Sequence, residues 1–210
     1  MNSDPRVEQG FFTDMMTLLD VHGVGSAELT KMAAICIWAG SDSDHGVRDR
    51  AAAEQCRNLA ITLCFRLFER ISVIARAAER SSLLAPLALI SEWVHHDVER
   101  LMSDWGGSPG KSARQSFVAS LVDLLNLTNA SKSSSRGSTA NSSIPDYVPI
   151  DEDVQLLGFL PLQETHRQSI TPLIQRNMLI GVPAAAGDRD ARLIRLGRLE
   201  NLAQLLALSR

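Results

Sequence analysis

The chain has 210 residues, of which 45% are hydrophobic, so it can bury a sizeable core as one large domain or two small ones. Its formal net charge of −3 argues against a bulk electrostatic match to nucleic acid or to an anionic membrane. Aromatic residues make up only 5%, while leucine and alanine are abundant, and this mixture favours helices over β-sheets.

Helical periodicity dominates the first 130 residues. A first helix is predicted from Pro5 to about Val21, because apolar residues recur there at spacings of three and four. They are Val7, Phe11, Met15, Leu18 and Leu19. A second helix is predicted to end near Gly40, with Ser26 as its expected N-cap.

The third predicted helix is the longest and runs from about Val47 to Arg80. Phe68 lies beside one apolar stripe, which consists of Leu59, Leu63, Leu67, Ile71 and Ile74. At 1.5 Å per residue this helix would be about 50 Å long. Helices of that length are typical of bundles and solenoids rather than of compact enzymes.

Two more helices follow before the composition changes. Ser81 or Ser82 is the expected cap of a fourth helix that runs to Trp105, with Pro86 tolerated in its first turn. After the turn GGSPG, a fifth helix is predicted from 111 to 130. Its apolar residues are Phe117, Leu121, Leu124 and Leu125.

A serine-rich stretch, SKSSSRGSTANSS, occupies Ser131 to Ser143. It has almost nothing to bury and cannot offset the entropy of its own ordering. We therefore expect a long flexible loop over 131–145. It separates a helical-hairpin bundle, 1–130, from a segment, 146–210, that completes the same domain.

The segment IDEDVQLLGFLPLQ, from Ile150 to Gln163, reads as a helix start followed by an apolar plug. Asp151 is the expected N-cap, with Glu152 and Asp153 complementing the positive end of the helix dipole. Gly158 permits close approach of the backbone, and Pro161 prevents the helix from continuing. Large apolar residues are predicted to insert into a neighbouring helical layer; they are Phe159, Leu160 and Leu162.

A final helix is predicted from Asp188 to about Leu208. Its apolar side carries Leu193, Leu196, Leu199 and Leu206. Four arginines recur at intervals of three, and they are Arg189, Arg192, Arg195 and Arg198. They form either a solvated side of the helix or candidate contacts to phosphate or an acidic partner.

Two motifs suggest catalytic chemistry and are better explained structurally. GGSPGKS resembles a phosphate-binding loop, but Trp105 stands where that pattern needs glycine, and a helix precedes it instead of a strand. HHDVE offers His95, His96, Asp97 and Glu99, but a metal needs three or four converging ligands. His22, His45 and Asp123 show no helpful spacing, so we expect neither a metal nor another cofactor.

Cys36, Cys56 and Cys64 form no CxxC pair, and an odd number cannot pair completely. We expect them to be reduced and buried on helices of a cytoplasmic protein that also enters the nucleus. The first ten residues lack the features of a signal peptide. The best apolar run, MAAICIWAG, is about half the length needed to cross a bilayer, so no membrane association is expected.

The segment from Ile150 also resembles a family signature that reads approximately L-P-E-D-x-x-L-x-G-F-x-P-L. That family contains the Smg factors of nonsense-mediated mRNA decay and the "ever shorter telomeres" telomerase subunit. Leu157, Gly158, Phe159, Pro161 and Leu162 match its second half. The acidic half matches in character through Asp151, Glu152 and Asp153, with Pro149-Ile150 in place of the leading Leu-Pro.

The terminal helix is similar to a second element of that family, R-x-x-R-I-x-x-x-G-x-x-L. Arg192, Arg195 and Gly197 stand in comparable places, followed by Leu199 or Leu202. The close resemblance covers 145–210, and the preceding helices agree in type. The resemblance implies an all-α fold of stacked antiparallel helical hairpins, arranged as an α-solenoid-like bundle. No 14-3-3-like pocket or PIN nuclease cluster is recognisable, so we expect a fragment or reduced homologue.

The function that the resemblance implies is a non-enzymatic scaffold of an mRNA surveillance factor. Its expected partners are other decay factors and a phosphorylated RNA helicase complex, bound as a hetero- or homodimer. The first alternative is a telomerase-associated protein that contacts RNA or DNA, with Arg192, Arg195 and Arg198 facing solvent on one side. The second is a helical metal-dependent hydrolase that uses His95, His96 and Asp97.

Overall fold

The structure is a computed structural model that describes residues 10, 13–15, 17, 24–41, 50–78, 81–103, 105, 107–134, 149–156, 159–163, 172 and 188–208. All regular secondary structure in these residues is helical, as the composition predicts. None of the described helices has an apolar stretch long enough to cross a membrane.

Seven helices longer than a single turn are described, and we number them in chain order. They are α1 (Ser26–Gly40), α2 (Arg50–Ala78), α3 (Leu84–His96), α4 (Val98–Met102), α5 (Gly107–Ser134), α6 (Asp151–Gln155) and α7 (Asp188–Leu208). Two 3₁₀ turns, Ser81–Leu83 and Leu160–Leu162, precede α3 and follow α6.

Helix α1 runs in the same direction as α3, and α2 runs in the same direction as α5, as expected for stacked hairpins. The Arg66 guanidinium of α2 contacts Ser112 of α5, and Arg76, farther along α2, contacts Asp123, farther along α5. At the start of α1, Ser26 donates a hydrogen bond to the carbonyl oxygen of Ser82, just before α3. At the other end, the carbonyl oxygen of Gly40 accepts from Arg100, just after α3.

The core lies where α2 meets α5 and where α3 meets α1 and α7. Phe117 of α5 stacks on Phe65 with ring centroids 4.7 Å apart and meets Phe68 at 4.6 Å, and all three are fully buried. Gly40 allows α1 to approach α2 and α3 closely. A Cβ there would meet Ile61 at 3.0 Å and Trp93 at 3.2 Å.

The structure corrects the predicted starts of α1 and α3, the apolar stripe of α2 and the burial of one cysteine. The N-cap of α3 is Leu83, because Ser81 and Ser82 belong to the 3₁₀ turn that precedes the helix. The N-cap of α1 is Gly25, and Ser26 is its first residue, because the Ser26 hydroxyl is used to bridge to Ser82. The α2 stripe is rotated, so Leu59 is exposed while Ile61 and Cys64 are buried. Cys36 and Cys64 are buried and free as predicted, whereas Cys56 is exposed.

The predicted fourth helix is two helices, because the chain breaks at Asp97. The Asp97 carboxylate accepts a hydrogen bond from Arg100 Nε at 2.5 Å, and its backbone leaves the helical region at φ −128°. The fifth helix runs on to Ser134, so the first residues of the expected serine-rich loop are helical.

Other parts of the predictions lie outside the described residues. The rest of the serine-rich loop is among them, as are Val7, Phe11, Leu18 and Leu19 of the first predicted helix. Gly10, Thr13, Asp14, Met15 and Thr17 are described and are helical.

The aromatic contact between α2 and α5 predicts a large packing effect. Phe117→Ala should lower the free energy of unfolding by about 3–5 kcal/mol, because it removes a fully buried ring from between two others. Val122→Ala on the same helix truncates an exposed side chain and should change stability by less than about 0.5 kcal/mol. Urea denaturation of both variants measures the difference, and equal midpoints would show that the aromatic contact does not stabilise the bundle.

Candidate functional site

The acidic residues at the start of α6 pair with arginines of α7. Arg195 holds Glu152 through two parallel contacts, Nε to Oε1 and Nη2 to Oε2, each at 2.6 Å. Arg198 holds Asp153 in the same way, with Nη1–Oδ1 at 2.8 Å and Nη2–Oδ2 at 2.6 Å. The side chains of Glu152 and Asp153 are 8% and 3% exposed, so water screens both pairs weakly.

Glu92 of α3 is the third carboxylate of this cluster. Its Oε2 atom accepts from Arg198 Nη1 at 2.7 Å, on the same nitrogen that contacts Asp153. Its Oε1 atom is buried and has no hydrogen-bond partner among the described residues. Burial raises the pKa of Glu92 to about 7; the Arg198 guanidinium opposes the rise, and the Asp153 and Glu152 carboxylates add to it.

We call these five side chains the ion-pair cluster: Glu92, Glu152, Asp153, Arg195 and Arg198. The cluster joins three parts of the chain that are distant in sequence, since the contact between Glu92 and Arg198 spans 106 positions. Charge-assisted, bidentate pairs of this kind are strong and fix geometry. The cluster therefore determines how α6 and α7 lie on α3.

The start of α6 is capped differently from the prediction. Ile150 is the N-cap, and its N–H donates to Asp153 Oδ2 at 3.0 Å. Asp151, the predicted cap, is the first helical residue and is exposed. Asp153 thus serves both the helix start and Arg198, which fixes the orientation of its carboxylate.

Apolar side chains on both sides of α6 enter the core. Ile150 and Leu162 are fully buried, and Phe159 is partly buried against the core. The 3₁₀ turn that contains Pro161 and Leu162 contacts α1 and α3. Leu157 and Gly158 lie outside the described residues.

The four arginines of α7 have different surroundings. Arg195 and Arg198 do not face solvent, because they are 14% and 13% exposed within the ion-pair cluster. Arg192 is exposed, and the side chain of Arg189 lies outside the described residues. Glu92 was not predicted from the sequence as a member of this cluster. Its one available signal is a single acid within the largely apolar run LAPLALISEWV.

A basic surface surrounds the start of α5, and we call it the α5 entry surface: Arg66, Trp105, Lys111 and Arg114. Lys111 is exposed, and the neighbouring Ser112 hydroxyl contacts Arg66 Nη2 at 3.3 Å. The Arg114 guanidinium lies over the Trp105 ring, 5.1 Å from its centroid, and donates to the Trp105 carbonyl oxygen at 3.1 Å. Glu69 pairs with Arg66 there at 3.0 Å, so the surface carries three cations beside this carboxylate.

The two motifs with catalytic resemblance take part in local structure. The predicted turn GGSPG is helical from Gly107, and Gly107 to Gly110 form the first turn of α5. A Cβ on Gly110 would collide with the carbonyl oxygen of Trp105 and meet its ring at 3.0 Å, so glycine is needed where α5 passes Trp105. His95 and His96 are exposed, and Asp97 is held by Arg100. Within the described part of the chain, no three His, Cys, Asp or Glu side chains are grouped as metal ligands.

The outer face of α1 carries exposed apolar side chains. Ile35 is 67% exposed and Trp38 is 47% exposed, one turn apart on the helix. Single exposed apolar side chains are common, but a group of adjacent ones is typical of a contact surface.

A family model described as the Est1 DNA/RNA binding domain matches residues 7–166. The match covers the helices from α1 to α6 and the segment around Phe159, and it ends before α7. Comparisons with curated proteins and with solved structures gave no match.

The ion-pair cluster predicts unequal effects for two arginines of one helix. Arg198→Met should lower the free energy of unfolding by about 3–5 kcal/mol, because it leaves the buried carboxylates of Glu92 and Asp153 without their partner. Arg192→Met removes an exposed charge and should have an effect below about 0.5 kcal/mol. Chemical denaturation gives both values; a loss for Arg198→Met as small as that for Arg192→Met would contradict the structural role of the cluster.

Proposed function

Because the chain belongs to the Est1 DNA/RNA binding domain family, we propose that it is a non-catalytic helical module that binds single-stranded RNA or DNA. The family match over residues 7–166 is the observation that carries this proposal. The α5 entry surface is the candidate binding surface, because all four of its residues lie within the matched part of the chain.

The α5 entry surface supplies the two kinds of contact that a flexible strand needs. Lys111 and Arg66 present exposed or half-exposed cations, which bind phosphates without regard to sequence. The Arg114 guanidinium lies over the Trp105 ring, 5.1 Å from its centroid, and the two planar groups offer a place where an unpaired base can stack. The chain as a whole is acidic, so positive charge must be concentrated locally for such binding to occur.

Arg195 and Arg198 have a different place in this proposal. Their guanidiniums are engaged by Glu152, Asp153 and Glu92, so they hold the module together and do not contact the strand. Arg192 remains a candidate phosphate contact on the exposed side of α7.

A second candidate function is a scaffold of an mRNA surveillance factor, which holds decay factors or a phosphorylated RNA helicase by surface contact. The exposed apolar pair Ile35 and Trp38 favours it, because aromatic and aliphatic anchors dominate the energy of protein interfaces. We place such a scaffold in the cytoplasm with passage into the nucleus. The two functions are compatible, because α1 and the α5 entry surface are separate parts of the molecule.

Binding of single strands tests the first proposal. Fluorescence anisotropy with oligouridine and oligothymidine should show an affinity that falls steeply between two salt concentrations, because phosphate contacts release counterions. The double substitution Arg66→Ala and Lys111→Ala should weaken binding about tenfold or more and reduce the salt slope by about 1 to 2. Lys31→Ala, which removes an exposed cation from α1, is the matched control and should leave binding unchanged.

Three outcomes of that experiment carry distinct conclusions. Absence of binding at low salt would overturn the nucleic-acid proposal. Binding that is insensitive to salt would exclude phosphate contacts as its source. Equal effects of the α1 control and the α5 double variant would show that the strand lies elsewhere on the molecule.

The scaffold proposal is tested with a purified decay helicase in phosphorylated and dephosphorylated forms. Trp38→Ala should weaken its binding by at least about 2 kcal/mol if Trp38 anchors the contact. Val122→Ala removes an exposed apolar side chain from another face and should have no effect. If Trp38→Ala does not change the affinity, the exposed face of α1 is not the docking face.

A further inference from the structure

We propose that the contact of α6 and α7 with α3 is a proton-sensitive clamp, which holds when Glu92 carries a proton and loosens when Glu92 loses it. The proposal goes beyond nucleic-acid binding, because it concerns how the bundle keeps its last helix and the segment around Phe159 in place. It rests on the geometry of the ion-pair cluster.

The charges of the cluster do not balance when every group is ionised. Its three carboxylates belong to Glu92, Glu152 and Asp153, and its two guanidiniums belong to Arg195 and Arg198. A proton on Glu92 removes the excess negative charge. Uncompensated charge is costly in a site that water hardly reaches, so the neutral form of Glu92 is favoured there.

The hydrogen bonds identify Glu92 as the group that takes the proton. Both oxygens of Glu152 and of Asp153 accept from a guanidinium, and Asp153 also accepts from the backbone of Ile150. Glu92 has one such contact, through Oε2, and its Oε1 is buried without a partner among the described residues. Glu92 and Asp153 share Arg198 Nη1, so two negative charges would meet at one nitrogen.

The charged groups that act on the pKa of Glu92 come from α6 and α7. The charged residues of α1, Glu28 and Lys31, are exposed, and every described residue of α2 that is fully buried is uncharged. The groups that face Glu92 are therefore Arg198 from α7 and Asp153 and Glu152 from α6, with Arg195 behind Glu152. Burial raises the pKa of Glu92 to about 7, which places its titration near neutral pH.

The direction of the effect follows from proton linkage. The folded state keeps the Glu92 proton up to about pH 7, while the unfolded chain releases it at the ordinary value of 4.5. Between those values the folded state binds more protons, so its stability falls as pH rises and reaches its lower level above the folded pKa. Because the pKa of Glu92 is raised to about 7, we expect α6 and α7 to be held on α3 more firmly below that pH than above it.

Thermal unfolding as a function of pH tests the clamp. The melting temperature of the unmodified chain should fall as pH rises from about 5.5 to about 8, and Glu92→Gln should flatten that dependence, because glutamine resembles the protonated form and cannot titrate. Glu99→Gln, which removes an exposed carboxyl from the first turn of α4, is the matched control and should keep the original profile. A Glu92→Gln profile identical to that of the unmodified chain would overturn the proposal.

Carbon-13 NMR of the glutamate side-chain carboxyls in the unmodified chain provides an independent readout if Glu92→Gln does not fold. One glutamate should titrate near neutral pH, whereas the exposed ones should titrate in the ordinary acidic range. Titration of every glutamate in that acidic range would show that Glu92 is ionised at neutral pH and that the clamp does not respond to protons there. Neither readout depends on nucleic-acid binding, so the clamp and the proposed function can fail separately.

Discussion

The position of Arg198 constrains the arrangement of the C-terminal part of this bundle. Its guanidinium contacts Asp153 through both terminal nitrogens and Glu92 through one of them, so α7, α6 and α3 meet at a single side chain. A guanidinium suits this role because its planar set of donors can serve two carboxylates at once. These polar contacts thereby fix the place at which the side chains of Ile150 and Leu162 pack into the core.

Buried ion pairs are not in general a source of large net stability, because removing the charges from water is costly. Apolar burial and the aromatic contacts among Phe65, Phe68 and Phe117 account for the driving force of folding here. The cluster instead disfavours other arrangements, because any alternative position of α7 would leave buried carboxylates unpaired. Neutralisation of Glu92 fits this arrangement, since it removes the one charge that has no partner of its own.

Much of the fold was predictable from local patterns in the sequence. Apolar periodicity located α2, α5 and α7 to within a few residues, because a helix that buries one face repeats its apolar residues at a fixed spacing. The break at Asp97 was not predictable, because it depends on contacts that Arg100 makes with Asp97 and with Gly40 of another helix. The choice of Gly25 over Ser26 as N-cap likewise depends on a distant carbonyl oxygen, that of Ser82.

The candidate sites were likewise predictable where they depend on local sequence and not where they depend on distant contacts. The importance of the segment from Asp151 to Leu162 was visible as a family signature, and membership of that family is confirmed by the match over residues 7–166. The partners of its acids were not visible, because Arg195 and Arg198 lie on a helix whose arginine spacing also fits a solvated side, and Glu92 is 106 positions from Arg198. The α5 entry surface was missed for a similar reason, since Arg66 and Lys111 come from different helices.

A double-mutant cycle between Arg198 and Asp153 tests the central claim most directly. Arg198→Met, Asp153→Asn and the double variant are compared by urea denaturation, and the interaction energy is the departure from additivity. The account predicts a coupling of more than about 1.5 kcal/mol, because the two groups share a buried bidentate contact. Additive effects within about 0.5 kcal/mol would contradict it, since they would mean that α6 and α7 are held on the bundle without this ion pair.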